Sequence, residues 1–151
     1  VAGAASPSLG LYDVVAGDSA IQYDFDLSYV GDLRRGQLPG FDDEFIPLYD
    51  GYVKGFEKLG LRCGRLATID TFRYNKENLE FLRRNNVLAE DMEIAAIAQV
   101  AEFMGVRVAS VKSISNAIAE NGGDEFGASL FKAIDAYVRL LPDIVNVVRG
   151  E

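Results

Sequence analysis

An acidic triplet at the mouth of a small-residue helix, with a β-branched run close behind it, constrains this chain more than any other stretch. Residues 91–103 read Asp91-Met92-Glu93-Ile94-Ala95-Ala96-Ile97-Ala98-Gln99-Val100-Ala101-Glu102-Phe103, an apolar helical pattern opened by two carboxylates. Residues 106–111 are rich in valine and predict a strand over 106–113, which closes in the polar run Lys112-Ser113-Ile114-Ser115-Asn116. Helices alternating with buried strands indicate an α/β fold, and in such sheets ligands bind outside the carboxyl ends of the strands. The helix start at Asp91 and Glu93 and the strand end at Ser115 and Asn116 are therefore expected to face one cleft.

The rest of the chain extends the alternation. Residues 12–16 and 20–27 predict two strands joined at Gly17-Asp18, and a loop punctuated by Gly36, Pro39 and Gly40 follows. Phe45, Ile46, Leu48, Tyr49, Tyr52, Val53 and Phe56 recur at helical spacing and predict a helix over 42–59, ended by Gly60. A strand over 61–69, a short helix over 75–84 capped by Asn75, and a helix over 92–104 stopped by Gly105 come next. Residues 124–148 predict a long terminal helix interrupted at Pro142, after a loop at Asn121-Gly122-Gly123. The whole length, 1–151, is expected to form one three-layer αβα domain around a mixed sheet.

Composition restricts the chemistry. With no His and one Cys, mechanisms built on Ser-His-Asp, Cys-His or His-ligated zinc are excluded. Fifteen Lys and Arg against 23 Asp and Glu give a net charge of −8, which opposes phosphate backbones and anionic membranes, so nucleic acid and membrane are not expected partners. No apolar run is long enough to span a bilayer. The lone Cys63, at the start of an apolar run, suits a reduced core residue and a cytoplasmic setting. No metal or other cofactor is expected, because Asp91 and Glu93 on a helix lie roughly 200° apart, a poor chelate.

Taken with Val1-Ala2-Gly3, these segments resemble the purine nucleosidase and phosphorylase superfamily, most closely its 5'-methylthioadenosine/S-adenosylhomocysteine nucleosidase branch. The resemblance implies a nucleoside phosphorylase-like fold whose first strands, and the glutamate that activates the attacking water, would precede Val1; a fragment or a shortened homologue would each explain that. It implies that the backbone of Ala2 and Gly3 lies against ribose and purine, since small residues allow close approach. Thr68-Ile69-Asp70-Thr71-Phe72-Arg73-Tyr74-Asn75 is similar to the segment that stacks a phenylalanine on the purine, a role for Phe72. Arg73 stands where adenine-specific members place an apolar residue.

Asp91-Met92-Glu93 is similar to the family's Glu-Met-Glu, whose Met packs on the sugar and whose second acid accepts from the ribose diol. On their own, Asp91 and Glu93 equally suit the positive end of a helix dipole. Lys112-Ser113-Ile114-Ser115-Asn116 corresponds to Arg-x-Ile-Ser-Asp, whose Asp gives a proton to purine N7. Asn116 occupies that catalytic position, Ser115 beside it, and an amide has no proton to give. Three readings follow: a residue introduced to trap substrate, a natural homologue that binds nucleoside without turnover, or 6-oxopurine recognition as in phosphorylases that use asparagine. Asn121 to Phe126 is similar to the mobile segment over the 5' substituent. Leu27 and Pro39 match positions that line the partner's 5' pocket in dimeric members. A homodimer is therefore expected, through that region and the apolar face of the 42–59 helix.

Overall fold

The computed structural model of the chain describes residues 1–119 and 121–150. Among these, six strands, β1 (Ala2–Ala4), β2 (Val14–Gln22), β3 (Ile46–Pro47), β4 (Arg62–Thr68), β5 (Val87–Asp91) and β6 (Ser110–Ala117), alternate with four α-helices, α1 (Val53–Lys58), α2 (Lys76–Arg84), α3 (Ile94–Met104) and α4 (Gly122–Arg149). The strands form one mixed sheet in the order β3-β2-β4-β5-β1-β6. Strand β4 runs parallel to β2 and β5, whereas β1 is parallel to β6 and antiparallel to β5. Residues 14–17 of β2 also pair antiparallel with β6, so the sheet curls back and joins those two edges.

Alternation along the strands divides the core into layers. Val15, Ala20 and Leu66 face α3, where they meet Ile94, Ala95 and Ala98. Their neighbours Ala16, Ile21 and Ala67 face the other way. Ile21 and Ala67 meet Leu79 and Leu82 of α2, while Ala16 meets Phe56 of α1 and Ile144 of α4. Strands buried on both faces explain the near-continuous apolar runs of the sequence.

Several elements depart from the sequence reading, each for a local reason. No turn forms at Gly17-Asp18; β2 runs through, its register with β4 shifting between Gly17 and Ser19. Gly17 serves packing, since a Cβ there would lie 2.7 Å from Leu66 Cδ1. The helix expected over 42–59 is broken by Pro47, which lacks an N–H and sits on the edge strand β3. Helix α1 starts only at Val53. Phe45, Ile46, Leu48 and Phe56 are nonetheless buried, so their spacing marked core and not one helix. That removes the continuous apolar helix face on which the expected dimer contact relied.

Strand β6 begins at Ser110 and not at Val106, which makes Lys112 to Asn116 strand residues. The sequence reading misses β5, whose short apolar run ends in acids. Helix α4 continues unbroken through Pro142, and Val138, whose carbonyl loses its partner, is half exposed. Two ends form as expected. Asn75 caps α2 by accepting from the Asn78 N–H, and Gly105 closes α3 with φ of 64°, a conformation that favours glycine.

Candidate active site

The turn from β5 into α3 is held together by Asp91. Its carboxylate accepts from the backbone N–H of Glu93 at 3.1 Å and of Ile94 at 3.2 Å, and from Thr68 Oγ1 at 2.7 Å. It also pairs with Lys112 Nζ at 2.6 Å, an ion pair almost wholly out of solvent. Thr68 Oγ1 in turn accepts from the Ala95 N–H at 2.9 Å. Asp91 is thus engaged by the protein itself, capping the start of α3. Glu93 is the opposite case. Its side chain is 59 % exposed and its polar contact among the described residues is Lys112 Nζ at 3.5 Å, which leaves acceptor capacity for a ligand.

Asn116 projects from β6 next to Gly3 of β1. Its Oδ1 lies 2.9 Å from Ser115 Oγ, a hydroxyl that also reaches the Ala2 carbonyl at 3.3 Å, and its Nδ2 donates to the Ala117 carbonyl at 3.0 Å. One amide hydrogen remains free. Helix α4 clamps the strand on both sides of this residue: Ser129 Oγ donates to the Ser115 carbonyl, and the Ala117 N–H donates to Glu125 Oε2. Glycines make the close packing possible. A Cβ on Gly3 would lie 3.1 Å from Asn116 Nδ2, and one on Gly122 would lie 2.8 Å from the Ala117 carbonyl.

A cavity of 260 Å³ brings together Ala2, Gly3, Phe72, Asp91, Met92, Glu93, Ser115 and Asn116, with Val1 and Phe126 completing its wall. Phe72 and Phe126 stand 5.6 Å apart between ring centres, a partly exposed aromatic wall. A second cavity of 290 Å³ shares Phe72 and Asn116 and continues to Arg73, Glu90 and Gly122. Leu27 and Pro39 are not part of either. Leu27 is half-buried; Pro39 lies in a broad groove of 980 Å³ with Phe41, Val100, Phe103 and Met104. Sequence reasoning missed Phe126 as a wall residue, although it ends a segment already singled out, and it missed Glu90. The signal for Glu90 was the alternation of β5, which points it away from the buried Asp91.

The fold and site together define an α/β domain with a small cavity near the strand ends of a mixed sheet, where ligands bind in folds of this class. Comparison with known proteins places it: the sequence profile of the phosphorylase superfamily matches residues 1–145, and the chain belongs to that family. It is 27% identical over 158 aligned positions to the 5'-methylthioadenosine/S-adenosylhomocysteine nucleosidase of Geobacillus thermodenitrificans (strain NG80-2), covering 99% of this chain and 66% of the relative. A Helicobacter pylori nucleosidase of the same name, an aspartate-to-asparagine mutant with 5'-methylthioadenosine in its active site, superposes with a TM-score of 0.88 at 29% identity, over 97% of this chain and 65% of that one. The futalosine hydrolase of H. pylori strain 26695 superposes with a TM-score of 0.86 at 28% identity, over 97% and 65%. The chain therefore spans just under two thirds of the length of these relatives.

Proposed function

We propose that the cleft binds a purine nucleoside with a modified 5' position, such as 5'-methylthioadenosine or S-adenosylhomocysteine, and that the chain carries the nucleoside-holding part of an N-glycosidase site whose acid position is occupied by an amide. The observation that supports this most is the 260 Å³ cavity, which gathers residues from β1, β5, β6 and the loop after β4 that the sequence scatters over more than a hundred positions. Phe72 stacks on the base, Met92 packs on the sugar, and Glu93 accepts from the ribose diol. The backbone of Ala2 and Gly3 approaches the ligand, and Asn116 directs its spare N–H at purine N7.

Cleavage of the glycosidic bond passes through an oxocarbenium-like state and needs a proton on the departing base. Asn116 supplies a hydrogen bond but no proton, a loss of about 10²–10⁴-fold in rate. Binding with little turnover is the reading this favours. The H. pylori mutant, whose asparagine variant holds its nucleoside, is consistent with it.

The reading extends to a cytoplasmic homodimer. Phe103 and Met104 of α3, 92 % and 68 % exposed beside Pro39, offer the apolar surface that the 42–59 segment does not. Sedimentation giving only monomer at micromolar concentration would remove the dimer. For the site, calorimetry with 5'-methylthioadenosine and chromatography for released adenine decide. Binding without rapid release is expected; no binding, or rapid release with Asn116 in place, overturns the reading.

A further inference from the structure

The second cavity contains a carboxyl that the nucleoside reading does not use. Gly3 of β1 pairs with Glu90 of β5 on one side and with Asn116 of β6 on the other. Directly paired residues project to the same face of a sheet, so Glu90 and Asn116 flank a position that has no side chain. The empty lane is real, since a Cβ at Gly3 would crowd Asn116 Nδ2 at 3.1 Å. Both residues line the 290 Å³ cavity, and Phe72 joins it to the nucleoside cleft.

Glu90 is held from behind. Its Oε2 accepts from the hydroxyl of Tyr23, a residue only 1 % exposed, and among the described residues no cation pairs with it. Among the described residues its Oε1 has no hydrogen-bond partner, and Glu90 lines the cavity. Burial raises the Glu90 carboxyl above the ordinary glutamate range, with Asp24 and Asp91 adding to the effect and the Tyr23 bond opposing it. A carboxylate so placed gains from an N–H donor brought by a ligand.

The edge of adenine beside N7 offers that donor. It presents the N7 acceptor next to the 6-amino donor, whereas a 6-oxopurine presents two acceptors there. Asn116 has one N–H to give and Glu90 one oxygen to receive. The strand order sets Glu90 between Asn116 and the loop after β4, from which Arg73 reaches the same cavity as a further donor toward N1. The row from Asn116 through Glu90 to Arg73 is then donor, acceptor, donor, complementary to N7, the 6-amino group and N1. Resting on the purine reading of the cleft, we propose that Glu90 is a specificity-determining residue that accepts from the 6-amino group of the base and selects 6-aminopurines over 6-oxopurines.

Calorimetry with adenine, hypoxanthine and unsubstituted purine on the wild-type chain, Glu90→Gln and Phe72→Ala tests this. The wild type is expected to bind adenine about tenfold or more tighter than hypoxanthine, and purine, which lacks both the amino donor and the opposing oxygen, is expected to fall between them. Glu90→Gln can turn its amide oxygen to the Tyr23 hydroxyl and an N–H to the base, or its N–H to the Tyr23 oxygen and its amide oxygen to the base, so it should bring adenine and hypoxanthine within about threefold of one another. Phe72→Ala should weaken all three bases and leave their ratios in place. A wild type that prefers hypoxanthine, or a ratio that Glu90→Gln does not move while the bases still bind, overturns the role of Glu90 and leaves the purine site standing. If no base binds any of the proteins, the purine reading falls and Glu90 with it.

Discussion

The two ends of the cleft are fixed in different ways. At the Glu93 end the hydrogen bonds hold the backbone: Asp91, Thr68 and Lys112 lock the turn between β5 and α3, and the side chain that would meet the ligand is left exposed. At the Asn116 end the side chain itself is fixed, between Ser115, the Ala117 carbonyl and two glycines, while α4 tethers the strand around it. The difference suits the two roles proposed for these ends. A charged acceptor for a vicinal diol works over a range of positions, because either oxygen can take either hydroxyl. A single N–H aimed at one ring nitrogen, the role proposed for Asn116, works in one direction only, and a side chain fixed in advance suits it.

The largest effect should come from giving the fixed end a proton. In Asn116→Asp, one oxygen would accept from Ser115 Oγ and the other would take the place of Nδ2, which now lies 3.0 Å from the Ala117 carbonyl. Two acceptors facing each other disfavour the ionised carboxyl, so the site would keep the proton that a departing base needs. Assayed in a full-length family domain, Asn116→Asp should release adenine about 10²–10⁴-fold faster than Asn116, with nucleoside affinity changed far less. Equal rates would mean that the base end positions without catalysing.

Two acids at the other end should separate stability from binding. Asp91→Ala removes a helix cap and leaves the Lys112 ammonium without its close partner, a change expected to cost about 3 kcal/mol of stability. Chemical denaturation reads that directly. Glu93→Ala should leave the unfolding midpoint nearly unchanged and weaken 5'-methylthioadenosine by about 1.5–3 kcal/mol, the value of a charge-assisted acceptor. If Asp91→Ala impairs binding alone, or Glu93→Ala unfolds the chain, their roles are exchanged.

Much of this site was legible in the sequence because its residues come as short local motifs. Asp91-Met92-Glu93 and Ser115-Asn116 keep their chemistry whatever the exact strand limits, and Asn75 and Gly105 end their helices by local backbone rules. What local pattern could not give was tertiary assignment. Phe45, Ile46 and Leu48 are apolar at helical spacing, yet Pro47 forces an edge strand there. Asp91 and Glu93 look equivalent in the sequence; Lys112 and Thr68, brought in from β6 and β4, bury and hold the first and leave the second exposed with a longer contact to Lys112. Glu90 escaped notice for the same reason, since its partners Tyr23 and Gly3 lie far away along the chain.

Glu90 also gives the smallest effect and the finest test of the base end, one that needs no ligand. Burial raises its carboxyl from the ordinary value of 4.5. A group whose folded value is raised contributes stability that is fully present below about 4.5 and is lost as pH climbs through the folded value. Glu90→Gln cannot titrate and keeps an acceptor for Tyr23. The variant should therefore gain on the wild type as pH rises from the acid side toward neutrality, read as a widening difference in Tm between the two proteins. The Tyr23 hydroxyl, also raised by burial and by Glu90, stays protonated throughout that window and does not contribute to the difference. A Tm difference that stays flat or narrows with rising pH would place the Glu90 carboxyl in water, and the base end would then lack the half-buried acceptor that sets it apart from Glu93.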